Sequence, residues 1–339
     1  MKVFRLTSAE ITPAAATGRV LTHDIGHGLR KGTIIGPEHL EALRAASEVH
    51  LVELDDGDVH EDPAALRIGA AIIGPGLEVT GPVQSQVRVV ATHRGLLRVE
   101  REAVERLNHL PAISVFTLVD GQAVEAGEEV AGAKVIPVAV PTFLVREVEL
   151  VTGNAAPVLR VDAFRPLRAL VVVTERLKPK AREAFAAAVT RKLGWYGAEL
   201  LGVREVARTG EAVRAAYESA SAEGAELVLF AGASSIDPLD AAYSELAAVG
   251  GELIRQGAPA HPGSMMWLGR LGPAVVLGVA SCAGFGRNTS LDLVLPFVFA
   301  YGAAGDLDFS ELGYGGLIEA GAGRRFPAYG TARPGSGAG

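Results

Sequence analysis

From Arg165 onward the chain repeats one pattern: a short, almost wholly apolar run followed by a helix-length segment with apolar residues three or four apart. The apolar runs are ALVVVT at 169–174, AELLGVREV at 198–206, ELVLFAG at 226–232 and AVVLGVAS at 274–281. Between them lie KAREAFAAAVTRKLG at 180–194, GEAVRAAYESASAEG at 210–224 and DPLDAAYSELAAVG at 237–250, each with helical periodicity. LDLVLPFVFA at 291–300 reads as a further helix or helix pair. A strand that loses polar alternation is buried on both faces, which is what a parallel sheet between two helical layers requires. The expected fold is therefore α/β, a three-layer sandwich on a mostly parallel sheet in the C-terminal half.

The first half reads differently. Short β-like runs (VFRLT, RVLTH, TIIG, VHLVEL, LLRVE, ISVFTL, AKVIPVAV) are separated by turns and interrupted by a few helices at 37–47, 62–74 and 100–110. This predicts a mixed α+β domain over 1–160, a boundary near 150–165, an α/β domain over 165–322 and a flexible tail over 323–339. The 41 glycines sit mostly at the ends of apolar runs, outside any low-complexity tract except the final GTARPGSGAG.

Composition removes several function classes. A net charge of -7 with no clustered Lys and Arg argues against nucleic acid as a partner. The most apolar segments fall well short of the roughly 20 residues needed to cross a bilayer, so no membrane partner is expected. The single cysteine, Cys282, cannot form an intramolecular disulfide, and the first residues lack the apolar run of a signal peptide. A cytoplasmic protein is the expectation.

Ligands of open parallel sheets bind beyond the carboxyl ends of the strands. Three such ends are rich in small or polar residues: Thr174-Glu175-Arg176, the stretch Ala231 to Asp240, and Ala280-Ser281-Cys282-Ala283-Gly284. In the second, Gly232 and Ala233 let backbone N–H groups approach an anion, Ser234 and Ser235 add hydroxyls, and a helix N-terminus follows. The plainer alternative is that Asp237 before Pro238 is a helix cap. A rigid loop, Gly257 to Ser264, carries His261, Pro262 and Gly263; a lone loop histidine is more often structural than a proton carrier. Neither a G-x-G-x-x-G after the first strand of the α/β half nor a P-loop lysine is present. His23-x-x-x-His27 suits a metal only on a helix, which Gly26 and Gly28 oppose, and DDGDVHEDP reads as a solvated acidic turn and helix cap.

These loops together resemble the molybdopterin-binding domain shared by molybdenum insertases and molybdopterin adenylyltransferases. That family carries a Gly-Gly-x-Ser-x-x-x-x-Asp loop, then a Pro-Gly loop, then commonly a Pro-Gly-containing turn, from which Ala280-Ser281-Cys282-Ala283-Gly284 departs. The likeness spans 165 to about 320, including Gly313-Tyr314-Gly315-Gly316-Leu317. It extends more weakly over RKGTIIGPEHLEALRAA, DDGDVHEDPAA and AKVIPVAVP, as in a branch of molybdopterin-binding proteins sometimes fused to a nucleotidyltransferase. The resemblance implies that Thr174, Gly232, Ala233, Ser234, Ser235, Pro262, Gly263, Ser264, Ser281 and Cys282 line a site for molybdopterin or adenylyl-molybdopterin. It also implies that Asp237 and Asp240 stand near the transfer chemistry, with Asp240 a candidate Mg²⁺ ligand and molybdate a possible substrate. Ala233 replaces the second loop glycine and Ser264 replaces a lysine frequent in insertases. Cys282 is either a small packing residue or a soft metal ligand. The function so implied is molybdenum cofactor biosynthesis or insertion by an insertase-like transferase. A homo-oligomer is implied, with a molybdoenzyme or nucleotidyltransferase as partner. The alternative is a non-catalytic carrier or a module for another phosphorylated ligand.

Overall fold

The computed structural model describes residues 1–26, 28–153, 156–233, 237–279, 288–305, 309–318 and 325–327. Contacts divide the chain into two compact units: 1–93 with 97–120 and 125–161, and 94–96 with 121–124 and everything from Asp162 onward.

The first unit opens with β1 (Lys2–Thr7), α1 (Pro13–Ala16), β2 (Val20–Leu21), α2 (Leu40–Ala45) and β3 (Glu48–Glu53). The strands make an antiparallel sheet in the order β1-β3-β2. Ile11, Leu21, Ile35, Leu43, Val49 and Leu51 are buried together behind it. The chain continues through β4 (Asp58–His60), α3 (Glu61–Ile72), β5 (Leu77–Val83), β6 (Gln86–Ala91), β7 (Gly95–Val99) and α4 (Arg101–Asn108). It then forms β8 (Ile113–Thr117), β9 (Ala123–Val124), β10 (Glu129–Val135), β11 (Ala139–Pro141), α5 (Thr142–Gly153) and β12 (Leu159–Ala163).

A second sheet, in the order β5-β6-β10-β8, is antiparallel throughout. Helix α3 lies on it through Ala65, Ile68 and Ile72, all fully buried. Gly69 permits this closeness, since a Cβ there would stand 2.8 Å from Val87 Cγ2. The acidic segment before α3 does act as a helix start, the His60 ring accepting the Asp62 N–H at 3.3 Å, but it is not wholly solvated: Glu61 is buried and paired with Lys31 at 3.1 Å. His27 lies outside the described residues.

The second unit is built on β13 (Arg168–Val173), α6 (Pro179–Trp195), β14 (Glu199–Glu205), α7 (Gly210–Ala222), β15 (Leu227–Ala231) and α8 (Ala241–Ala248). It is completed by β16 (Glu252–Gln256), β17 (Trp267–Leu271), β18 (Ala274–Val279) and α9 (Ser290–Tyr301). The strand order is β14-β13-β15-β18-β17-β16. The first four strands are parallel, as expected, while β17 and β16 add an antiparallel edge. The sheet is therefore mixed, and the rigid loop read over 257–264 lies between β16 and β17, which pair as an antiparallel hairpin.

Alternate residues of β13 enter different cores, which explains its lack of polar alternation. Ala169, Val171 and Val173 pack with Phe185 and Val189 of α6 and Val294 and Val298 of α9. Leu170 and Val172 pack instead with Val213 and Tyr217 of α7 and Ala242 and Leu246 of α8. Each fully buried Val or Leu contributes about 1.5–3 kcal/mol of transfer free energy, so both faces hold the sheet. The single helix α9 accommodates Pro296 in its interior. No described helix is long and apolar enough to cross a membrane.

Candidate functional site

Parallel pairing aligns three strand ends. Val173 of β13 is the register partner of Ala231 in β15, and Ala231 is that of Val279 in β18. The first residue beyond each strand continues the stitching: Thr174 donates its N–H to the Ala231 carbonyl at 3.0 Å, and Gly232 donates to the Val279 carbonyl at 2.9 Å. The Thr174 hydroxyl lies 3.3 Å from the same Ala231 carbonyl, and the residue is 7 % exposed. Thr174, Gly232 and Val279 are thus brought together at the carboxyl ends of the parallel strands.

Gly232 has φ +89°, a region that disfavours side chains, and a Cβ there would meet Glu175 Cβ at 2.7 Å and Glu175 N at 3.1 Å. Both constraints demand glycine at this position. Ala233 is fully buried behind it. Ser234 and Ser235 lie outside the described residues, as do Ser281 and Cys282.

Asp237 is exposed, and its Oδ1 accepts the Leu239 N–H at 2.9 Å, while its carbonyl accepts the Asp240 N–H at 3.0 Å. This is a tight turn leading into α8. Asp240 caps that helix: its Oδ1 accepts the Ala242 N–H at 2.9 Å. Its Oδ2 pairs with Arg208, whose Nε stands at 2.9 Å and whose Nη2 also donates to it. The carboxylate is wholly buried while the guanidinium is about half exposed. Nearby, Tyr217 donates its hydroxyl to the Ala242 carbonyl at 2.5 Å. Burial, reinforced by the Asp240 charge, pushes this phenol's pKa above its ordinary value.

The proline loop is tied down at both ends. Pro262 follows a cis peptide bond, Gly263 has φ +106°, and the Pro262 carbonyl accepts the Ser290 N–H at 2.9 Å. Ser290 Oγ donates to the Gly263 carbonyl at 2.7 Å, and a Cβ on Gly263 would fall 2.3 Å from that hydroxyl. Ser264 accepts the Ala258 N–H at 2.9 Å through its carbonyl. His261 exchanges backbone hydrogen bonds with the segment that follows Gly315: its N–H donates to Gly316, and its carbonyl accepts from Ile318, both at 2.8 Å. The Pro-Gly loop, the Gly-Tyr-Gly-Gly segment and the start of α9 are one local assembly.

Sequence reasoning missed a buried ion pair behind that helix start. Lys192 Nζ of α6 lies 2.8 Å and 2.9 Å from the two carboxylate oxygens of Asp292, with side chains 3 % and 0 % exposed. Asp292 Oδ2 also accepts the Thr289 N–H at 2.8 Å, completing a capping box with Thr289. The Thr-x-x-Asp spacing before an apolar run was the available signal for the cap; nothing in the sequence signalled the lysine partner, 100 residues earlier. Among the described residues no group of three or more His, Cys, Asp or Glu side chains is placed to hold a metal ion.

Comparison with known proteins gives no matching family model and no matching curated protein. Solved structures that resemble the chain include a molybdopterin biosynthesis MoeA protein from Pyrococcus horikoshii, at 17 % identity and TM-score 0.29, the match covering 70 % of this chain and 78 % of that one. The molybdopterin biosynthesis enzyme MoaB from Thermus thermophilus is similar at 20 % identity and TM-score 0.28, over 39 % of this chain and 91 % of that one. A molybdopterin biosynthesis protein from Mycobacterium abscessus is similar at 17 % identity and TM-score 0.25, over 38 % of this chain and 94 % of that one.

Proposed function

We propose that the second unit binds a phosphorylated pterin, molybdopterin or its adenylylated form, beyond the ends of β13, β15 and β18, and that the protein serves molybdenum cofactor biosynthesis or insertion. In this reading the unit is a three-layer sandwich whose parallel strands present the ligand edge. The observation that carries it is Gly232: a left-handed glycine pressed against Glu175, where a Cβ would stand 2.7 Å from a neighbouring carbon, at the strand end that leads to α8. The Gly232 N–H is itself bonded to the Val279 carbonyl, so in this reading the glycine serves to turn the chain, the backbone beyond it meets the anion, and the sequence likeness in the loops names that anion. Thr174, Ala233, Ser234, Ser235, Pro262, Gly263, Ser264, Ser281 and Cys282 complete the proposed lining.

Asp240 is a poor seat for Mg²⁺, because one oxygen caps α8 and the other pairs with Arg208. We therefore assign Asp240 to positioning the loop, with Asp237 as the carboxylate open to solvent; molybdate would enter as substrate. The same geometry favours, as a second reading, a carrier that binds the cofactor without turning it over.

The test is equilibrium binding of purified full-length protein to molybdopterin and to its adenylate, with an unphosphorylated pterin as control. Micromolar affinity for the phosphorylated ligands, weakened about tenfold or more by Gly232→Val, is expected. Equal affinity of the wild type for the unphosphorylated control, or no binding near 100 µM, roughly the weakest affinity a dedicated site would show, refutes the assignment. Mg²⁺-dependent nucleotide turnover with bound pterin separates a transferase from a carrier.

A further inference from the structure

Helix α5 leaves one stripe to solvent: Phe143 and Leu150 are 62 % and 60 % exposed, and Arg146 and Glu147 between them are exposed as well. The spacing i, i+3, i+4, i+7 puts all four on one face, while Leu144, Val145 and Val148 are buried on the other. No ion pair within the chain engages Arg146 or Glu147 among the described residues; the neighbouring pair, Arg67 with Glu149 at 2.9 Å, ties α5 to α3. The stripe is complementary to itself. Read in reverse, Phe-Arg-Glu-Leu becomes Leu-Glu-Arg-Phe, with apolar over apolar and each charge over its opposite.

We propose that this stripe is an isologous contact with a second copy of the chain. Two α5 helices crossing antiparallel about a twofold axis, midway between Arg146 and Glu147, place Phe143 of one protomer against Leu150 of the other. Each Arg146 then faces the partner's Glu147. A twofold interface requires a patch complementary to itself, and this register meets the requirement for all four side chains at once. The occupant follows from that symmetry: an unrelated partner needs no palindrome. The stripe lies in the first unit and does not depend on the pterin reading.

The contact is small. A helix of twelve residues is about 18 Å long, so the stripe covers well under the roughly 800 Å² per partner of a standard interface, and the dimer is weak, with Kd on the order of tens of micromolar. Sedimentation of the full chain between about 5 and 300 µM, a span that brackets such an affinity, reads it directly. Arg146→Glu sets like charges against each other twice and should weaken association about tenfold. Arg146→Glu combined with Glu147→Arg rebuilds both pairs and should return Kd to within about threefold of the wild type, which also shows that the charge reversal leaves the fold intact. Leu150→Asp should leave only monomer. A wild type that stays monomeric throughout, an association indifferent to Arg146→Glu, or a double variant no better than the single one overturns the proposal.

Discussion

Lys192→Met is the sharpest test of how the proposed site is supported. The Lys192 and Asp292 side chains are 3 % and 0 % exposed and in direct contact, so removing the ammonium leaves a carboxylate in the core without its cation. Breaking a buried pair from one side costs about 3–5 kcal/mol, whereas replacing both partners by apolar groups is often neutral. Both tryptophans, Trp195 and Trp267, belong to the second unit, so their fluorescence follows the unfolding of that unit alone. With a urea m value of about 2 kcal/mol per molar, the Lys192→Met midpoint should fall by about 1.5–2.5 M. Lys192→Met with Asp292→Leu should recover most of this. The residual loss of about 1 kcal/mol, or about 0.5 M, is the Thr289 N–H deprived of its acceptor. A shift below about 0.5 M for the single variant, or a double variant as unstable as the single one, would show that the pair is not buried and coupled as described.

Two further outcomes follow from other contacts. A Cβ on Gly278 of β18 would stand 1.8 Å from Trp267 Nε1, so Gly278→Ala must displace a fully buried indole; we expect a loss of about 1–3 kcal/mol and a red-shifted emission, and unchanged emission at wild-type stability would contradict the packing. Glu223 is held at a pKa of about 2, below the usual 4.5, by hydrogen bonds from Arg204 and then Ser219. Because the folded value is depressed, its stabilisation is present above pH 4.5 and fades as pH falls toward about 2. Carboxyl NMR should place its midpoint there, and Arg204→Gln should move it up toward 4.5; a midpoint that ignores Arg204 would remove the assigned cause.

The parallel strands were legible because burial on both faces erases polar alternation, and β13, β15 and β18 carry that signature without interruption. The edge hairpin was not. Strand β16 is short, its register slips between Leu253 and Arg255, and glycines and prolines flank it, so its sequence reads as a loop. Helix α5 was overlooked for a different reason: its buried positions include Val145 and Val148, β-branched residues that favour strands, and its helical spacing emerges only with Leu144 and the exposed stripe. At the site, the helix start was read three residues early: the cap expected at Asp237 before Pro238 is instead Asp240, because 237–240 form a tight turn ahead of α8. The cations could not be read from neighbouring residues, since Arg208 and Lys192 reach Asp240 and Asp292 across 32 and 100 positions of chain.

Those two distant cations answer an electrostatic difficulty in the proposed function. An anion is drawn to a helix N-terminus by its unpaired N–H groups and the positive end of its dipole. Yet α8 is capped by Asp240, and α9 carries Asp292 in its first turn, two negative charges where a phosphate would have to approach. In a chain of net charge -7 there is little general excess of cations to offset them. Arg208 and Lys192 do so locally: each carboxylate keeps its cap hydrogen bond while its charge is matched by a partner in direct contact. The helix starts therefore keep their positive ends. In the proposed function, the pairing of the two carboxylates would remove charge that otherwise repels a phosphorylated ligand from an acidic protein.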